Sequence, residues 1–204
     1  IGNIQRSATA YSVLVADGSQ VYALLHISDT PFGFQEFAFD WNRISFELQF
    51  GDHHVEPASM VFLTIDPRVI ALPIDPTQVA ALGCKVYPLT AEPFKFPDAM
   101  LVNKGGVGYG ETPFKLESSQ PSYVKMDNRF IKHLLGDFTP SRGDLVFSKN
   151  GELLGLMVSS DYCAILSVIV PSRSLKLGDT SGQSTAKLFT EMENRFRSLP
   201  FKMQ

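Results

Sequence analysis

The stretch that most constrains this chain is the pair of apolar runs Leu145-Val146-Phe147 and Leu153-Leu154-Gly155-Leu156-Met157-Val158, joined through Asn150-Gly151. Two apolar runs around an Asn-Gly turn fold back most cheaply as an antiparallel β-hairpin. The hairpin is entered through Thr139-Pro140-Ser141-Arg142-Gly143-Asp144, a run of turn formers. The sequence therefore predicts a serine presented on a tight turn just before an apolar strand. By itself this could equally be an ordinary hairpin of an unrelated all-β protein.

A second hairpin is written near the start of the chain. Tyr11-Ser12-Val13-Leu14-Val15, Asp17-Gly18 and Val21-Tyr22-Ala23-Leu24-Leu25-His26-Ile27 read as strand, turn and strand, which puts His26 at a strand end. A histidine there, taken alone, is a core or surface residue. Ile44 to Phe50 alternates apolar and polar, the pattern of a half-buried strand, and follows a segment from Phe32 dense in Phe and Trp. Ser59 to Ile65 and Val69 to Leu72 are two more strands, parted by Asp66-Pro67-Arg68, and Pro73 to Thr77 suits a boundary. Tyr162 to Pro171 reads as a buried strand ending at proline. Beyond the break at Gly178 to Gly182, Leu188, Phe189, Met192, Phe196 and Leu199 share one face of a helix.

Composition narrows the function classes. With 204 residues, 44% hydrophobic and 19% charged, the chain is globular and can bury a substantial core. A net charge of −3 gives no electrostatic footprint for nucleic acid or an anionic membrane surface. No run approaches the roughly 18 apolar residues of a membrane span, and Ile1-Gly2-Asn3 is no basic leader, so the chain is read as mature or excised. Cys84 and Cys163 are too few for a disulfide framework and read as free thiols. His53-His54 is no metal site, because neighbours on a strand face opposite sides. Gly105 to Gly110 lacks the Lys-Ser/Thr of a nucleotide loop and reads as a flexible turn between strands.

Taken together, the segments around His26, Ile70-Ala71-Leu72 and Ser141 resemble, in order and spacing, the trypsin/chymotrypsin-like serine proteases, especially the bacterial Deg/HtrA-like branch. The likeness covers roughly residues 8 to 171. It implies an all-β fold of two six-stranded Greek-key β-barrels, residues 1–75 forming the N-terminal barrel and residues 76–204 the C-terminal barrel. Leu82 to Leu89 would be the first strand of the second barrel, with a C-terminal α-helix lying against that barrel.

The resemblance also assigns roles. Ser141 stands at the nucleophile position and His26 at that of the general base. Val69 occupies the place of the orienting acid, which leaves Asp66 as the candidate third member. The backbone N–H groups of Thr139 and Ser141 would form the oxyanion hole, and Leu135, six residues before the serine, would floor an apolar primary pocket. The turn departs from the family pattern at Thr139-Pro140, Arg142 and Asp144. The implied function is a serine endopeptidase hydrolysing peptide or protein substrates without a cofactor or metal. The alternative is an inactive pseudoprotease that binds a peptide or protein. Oligomeric state and compartment are not legible.

Overall fold

The two hairpins form where the turn residues demand them. Asp17 pairs with Gln20 across a two-residue loop led by Gly18 at φ +60°, a backbone angle that glycine adopts without penalty. The second turn falls one residue earlier than Asn150-Gly151. Gly151 N–H bonds to Ser148 C=O at 2.9 Å, so Lys149 and Asn150 are the central pair and Gly151 follows at φ +84°; the strand register shifts farther from the turn, between Val146 and Phe147.

The structure, a computed structural model, describes residues 4–34 and 39–204. Ile1-Gly2-Asn3 and residues 35–38 of the Phe-rich segment lie outside the described residues. The chain runs β1 (Leu14–Asp17), β2 (Gln20–His26), β3 (Arg43–Ile44), β4 (Leu48–Phe50), β5 (His53–Val55), β6 (Ser59–Leu63), β7 (Val69–Ile74), α1 (Pro76–Leu82) and β8 (Val86–Pro88). It continues through β9 (Asp98–Val102), β10 (Tyr109–Leu116), β11 (Tyr123–Met126), β12 (Lys132–Leu135), β13 (Leu145–Phe147), β14 (Leu153–Met157), β15 (Tyr162–Ile165), β16 (Pro171–Lys176), β17 (Gly178–Asp179) and α2 (Thr185–Arg197).

The protein is mostly β, with two sheets. One has the order β16-β6-β7-β2-β1-β8, antiparallel except for β1 with β8. The other runs β11-β15-β14-β13-β9-β10-β12, and β10 also pairs with β11. That extra pairing closes β11, β15, β14, β13, β9 and β10 into a six-stranded barrel, with β12 added on β10. In the first sheet β16 and β8 remain edges among the described residues.

Three apolar clusters explain the layering. Leu101, Val124, Met126, Val146 and Leu154 fill the closed barrel. Alternate residues of the first sheet then serve two cores. Ala23, Leu25, Ile70 and Leu72 face Phe189 and Met192 of α2, whereas Leu24, Val69 and Ala71 face Leu153, Leu156 and Ala164 of the barrel. A sheet covered on both faces has near-continuous apolar strands, as β7 does.

Several expected boundaries are corrected by long-range pairing. Leu82 to Leu89 is not a strand of the barrel: it holds the end of α1, a Gly83 cap at φ +65°, and β8, which joins the first sheet. β16 also returns to that sheet, and α2 lies on its core, not against the barrel. Residues 76–204 therefore contribute to both halves. Ile44 to Phe50 is broken at 45–47 into β3 and β4, and β15 ends at Ile165, well short of Pro171. The glycines after Asn103 have a structural duty. A Cβ on Gly108 would sit 2.8 Å from Phe138 Cδ1, and one on Gly110 would sit 2.7 Å from Lys132 O. The small residues let β12 and Phe138 approach β10. Among the described residues no helix is long and apolar enough to cross a membrane.

Candidate functional site

His26 ends β2 opposite Val69 in the antiparallel register, and a short 3₁₀ turn, Ile27–Asp29, follows at once. Ile27 N–H bonds to Arg68 C=O at 2.8 Å, which fixes the entry to that turn. The turn brings Ser28 back over the imidazole: its N–H donates to Nδ1 at 3.1 Å and its Oγ lies 2.7 Å from the same atom. A backbone N–H can only donate, so Nδ1 is an acceptor and the ring proton sits on Nε2. His26 is 2% exposed, and Nε2 is buried without a hydrogen-bond partner. Burial, followed by the positive charge of Arg68 and opposed by Asp66, lowers the pKa of His26 to about 3, with Arg142 and Lys104 adding to the fall. The ring is neutral across the physiological range.

The Asp66 carboxylate is engaged by other groups. Its Oδ1 accepts Arg68 N–H at 2.7 Å and Arg68 Nε at 3.0 Å, and its Oδ2 accepts Arg68 Nη2 at 2.7 Å and the Tyr123 hydroxyl at 2.8 Å. It has no hydrogen bond to His26. Burial, helped by the Asp66 charge, holds the Tyr123 hydroxyl well above its ordinary pKa. The Arg68 guanidinium continues to Val158 C=O at 3.2 Å and packs on the Phe196 ring. This is a buried staple between the sheet, the barrel and α2.

Ser141 opens a tight turn. Asp144 N–H bonds to Ser141 C=O at 3.2 Å, and Gly143 takes φ +85°, the left-handed angle that the third residue of a type II turn requires. The Asp144 carboxylate folds back under the turn. Its Oδ2 accepts Ser141 N–H at 2.8 Å and lies 3.5 Å from Ser141 Oγ, and its Oδ1 accepts Lys104 N–H at 2.9 Å. Burial raises the Asp144 pKa, while the bonds from Lys104 and Ser141 pull it back.

The two predicted segments meet here. A Cβ on Gly143 would lie 2.7 Å from Asp29 Oδ2, 3.2 Å from Lys104 Cδ and 3.5 Å from His26 Cβ. The serine turn thus sits directly on the histidine turn, and Lys104 Nζ clamps them by bonding Asp29 Oδ1 at 2.6 Å. No hydrogen bond joins His26 to Ser141. Thr139 is exposed ahead of buried Pro140. Leu135 is 52% exposed on β12, where it pairs with Tyr109, and lies outside the cleft beside Ser141. That cleft, of about 520 Å³, is lined by Ser28, Lys104, Ser141, Arg142, Ser159 and Lys202 among others. Serine hydroxyls and three cations share its walls with Pro140, Asp161 and Gln204.

Sequence reasoning passed over Arg68, Asp144, Lys104 and Asp29. The signals were present in two cases: an arginine two residues after Asp66, and an aspartate where the family turn has proline. Lys104 and Asp29 reach the site through pairing 75 residues apart, which no local pattern announces. Compared with family models, curated proteins and solved structures, the chain matches none.

Proposed function

We propose that the chain is a catalytically inert member of the trypsin-like serine protease superfamily, a pseudoprotease whose cleft binds a peptide or a segment of another protein. In this reading the first sheet, roofed by α2 and the β3 to β5 region, takes the place of the first barrel, and the closed barrel is the second. The single observation that carries inertness is the bond from Ser141 N–H to Asp144 Oδ2 at 2.8 Å. An oxyanion hole needs that N–H free and aimed at developing negative charge, and a carboxylate in the same place repels it.

The histidine supports the same reading. A general base works best with a pKa near the operating pH, and the pKa of His26 is lowered to about 3. It also lacks an orienting carboxylate, a loss worth on the order of ten-thousand-fold in turnover in such triads. Incubating the protein with a random peptide library and reading the products by mass spectrometry tests the proposal. We expect retained peptides and no cleavage that disappears in Ser141→Ala. Cleavage that depends on both Ser141 and His26 would replace inertness with endopeptidase activity.

A further inference from the structure

Among the described residues, the cleft beside Ser141 carries one cation with no ion-pair partner, alongside the Asp161 carboxylate, which has none either. Of its three cations, Lys104 is matched by Asp29 at 2.6 Å and Lys202 by Glu117 at 2.9 Å. Arg142 is exposed, and among the described residues no carboxylate lies within ion-pair distance of it. Arg142 occupies the tip of a rigid turn: the backbone on its far side is fixed by Gly143 N–H to Met157 C=O at 2.8 Å, and that on its near side by the Asp144 carboxylate. The turn therefore fixes where the Arg142 side chain leaves the backbone beside the cleft. The hydroxyls of Ser141 and Ser159 line the same cleft and can donate, whereas that of Ser28 is already given to His26 Nδ1.

Beneath the same turn His26 holds a buried Nε2–H without a partner. The positive field of Arg142 and Lys104 reaches that ring, since both lower its pKa. His26 itself does not line the cleft, so the donors a ligand would meet there are Arg142 and the serine hydroxyls.

Resting on the reading of the cleft as a peptide site, we propose that it selects a carboxylate, with Arg142 as the anchoring charge and the serine hydroxyls as secondary donors. A planar guanidinium meets a carboxylate through two parallel hydrogen bonds. A single unmatched cation suits a monoanion. Asp161, which also lines the cleft, disfavours a phosphate dianion. The apolar preference expected from Leu135 gives way to an acidic one, because Leu135 is on an outer strand and does not line the cleft that Arg142 overlooks.

The carboxylate can come from an Asp or Glu side chain or from a peptide C-terminus. An array of random hexapeptides, one set blocked at both ends and one with a free C-terminus, distinguishes these sources. The best binders are then remade with Glu→Gln or with an amidated end, and their affinities are read by fluorescence anisotropy. We expect removal of the carboxylate to weaken binding at least tenfold, and Arg142→Gln to abolish that difference with no change in melting temperature. High salt should weaken the acidic peptide selectively. Equal binding of charged and neutral versions, or a preference that survives Arg142→Gln, overturns the carboxylate assignment and leaves peptide binding standing. Inorganic phosphate competing better than acetate overturns the choice of a monoanion. Failure of folded wild-type protein to hold any peptide overturns both readings.

Discussion

At the scale of single residues, the site is defined by what each polar group already touches. His26 ends its strand as the hairpin pattern predicts, but Ser28 holds its Nδ1 and the Asp66 carboxylate is spent on Arg68 and Tyr123. The position was legible because hairpins have local rules; the protonation state was not, because burial and the Arg68 charge come from distant pairing. The histidine has a consequence for stability. Its pKa falls from 6.5 unfolded to about 3 folded, so its contribution is complete above pH 6.5 and is lost as pH drops from there toward 3. The slope is about 1.4 kcal/mol per pH unit. Urea unfolding at pH 7 and pH 5 should show a larger loss for wild type than for His26→Asn, whose Oδ1 can still accept from Ser28. Asp144 makes the second case. Asp144→Ala removes the acceptor for Ser141 N–H and Lys104 N–H, and at about 1 to 3 kcal/mol per unsatisfied donor the melting temperature should fall by several degrees. An unchanged melting temperature would mean that water replaces the carboxylate at both amides.

Whole elements were readable where the turn chemistry was strong. Both hairpins and α2 lie where turn residues and the spacing of Phe189, Met192 and Phe196 place them. α1 was written just as clearly and was passed over. Asp75 accepts from Thr77 N–H and Gln78 N–H, Gln78 Oε1 reaches back to Asp75 N–H, Pro76 begins the first turn and Gly83 ends the helix, a full set of start and stop signals. The family pattern of a strand at Leu82 to Leu89 masked it. β14 shows how tightly one element is fitted: a Cβ on Gly155 would lie 2.0 Å from Ala164 O and 2.6 Å from Cys163 Sγ. Gly155→Ala must push β15 away, and overpacking of this kind costs about 1 to 3 kcal/mol or more. We expect it to be the most damaging glycine-to-alanine change among the described residues, measured by the urea midpoint, with Gly182→Ala, whose surroundings are open, nearly neutral. The reverse order would show that the strands part easily here.

Across the whole molecule the halves are joined by the Asp66, Arg68 and Tyr123 cluster, which ties the loop after β6 to β11, Val158 and α2. Breaking one partner of a buried ion pair costs about 3 to 5 kcal/mol. Asp66→Asn should therefore lower stability on that order by calorimetry while leaving the surface of the cleft intact, whereas a loss of peptide binding at unchanged stability would give Asp66 a direct role in the site. Barrel closure through β10 and β11, and the return of β16 and α2 to the first sheet, could not be read from local patterns. They depend on which distant edges find each other. The same assembly sets the serine turn on the histidine turn and seats Asp144 under it, which is the basis for the inert, peptide-binding cleft proposed above. The most direct measurement is stoichiometric labelling with a fluorophosphonate probe followed by peptide mapping. The expected result is no modification of Ser141 above the level seen in Ser141→Ala. Rapid, complete labelling of Ser141 that is lost in His26→Ala would contradict the account, since it requires a free oxyanion donor and a working base.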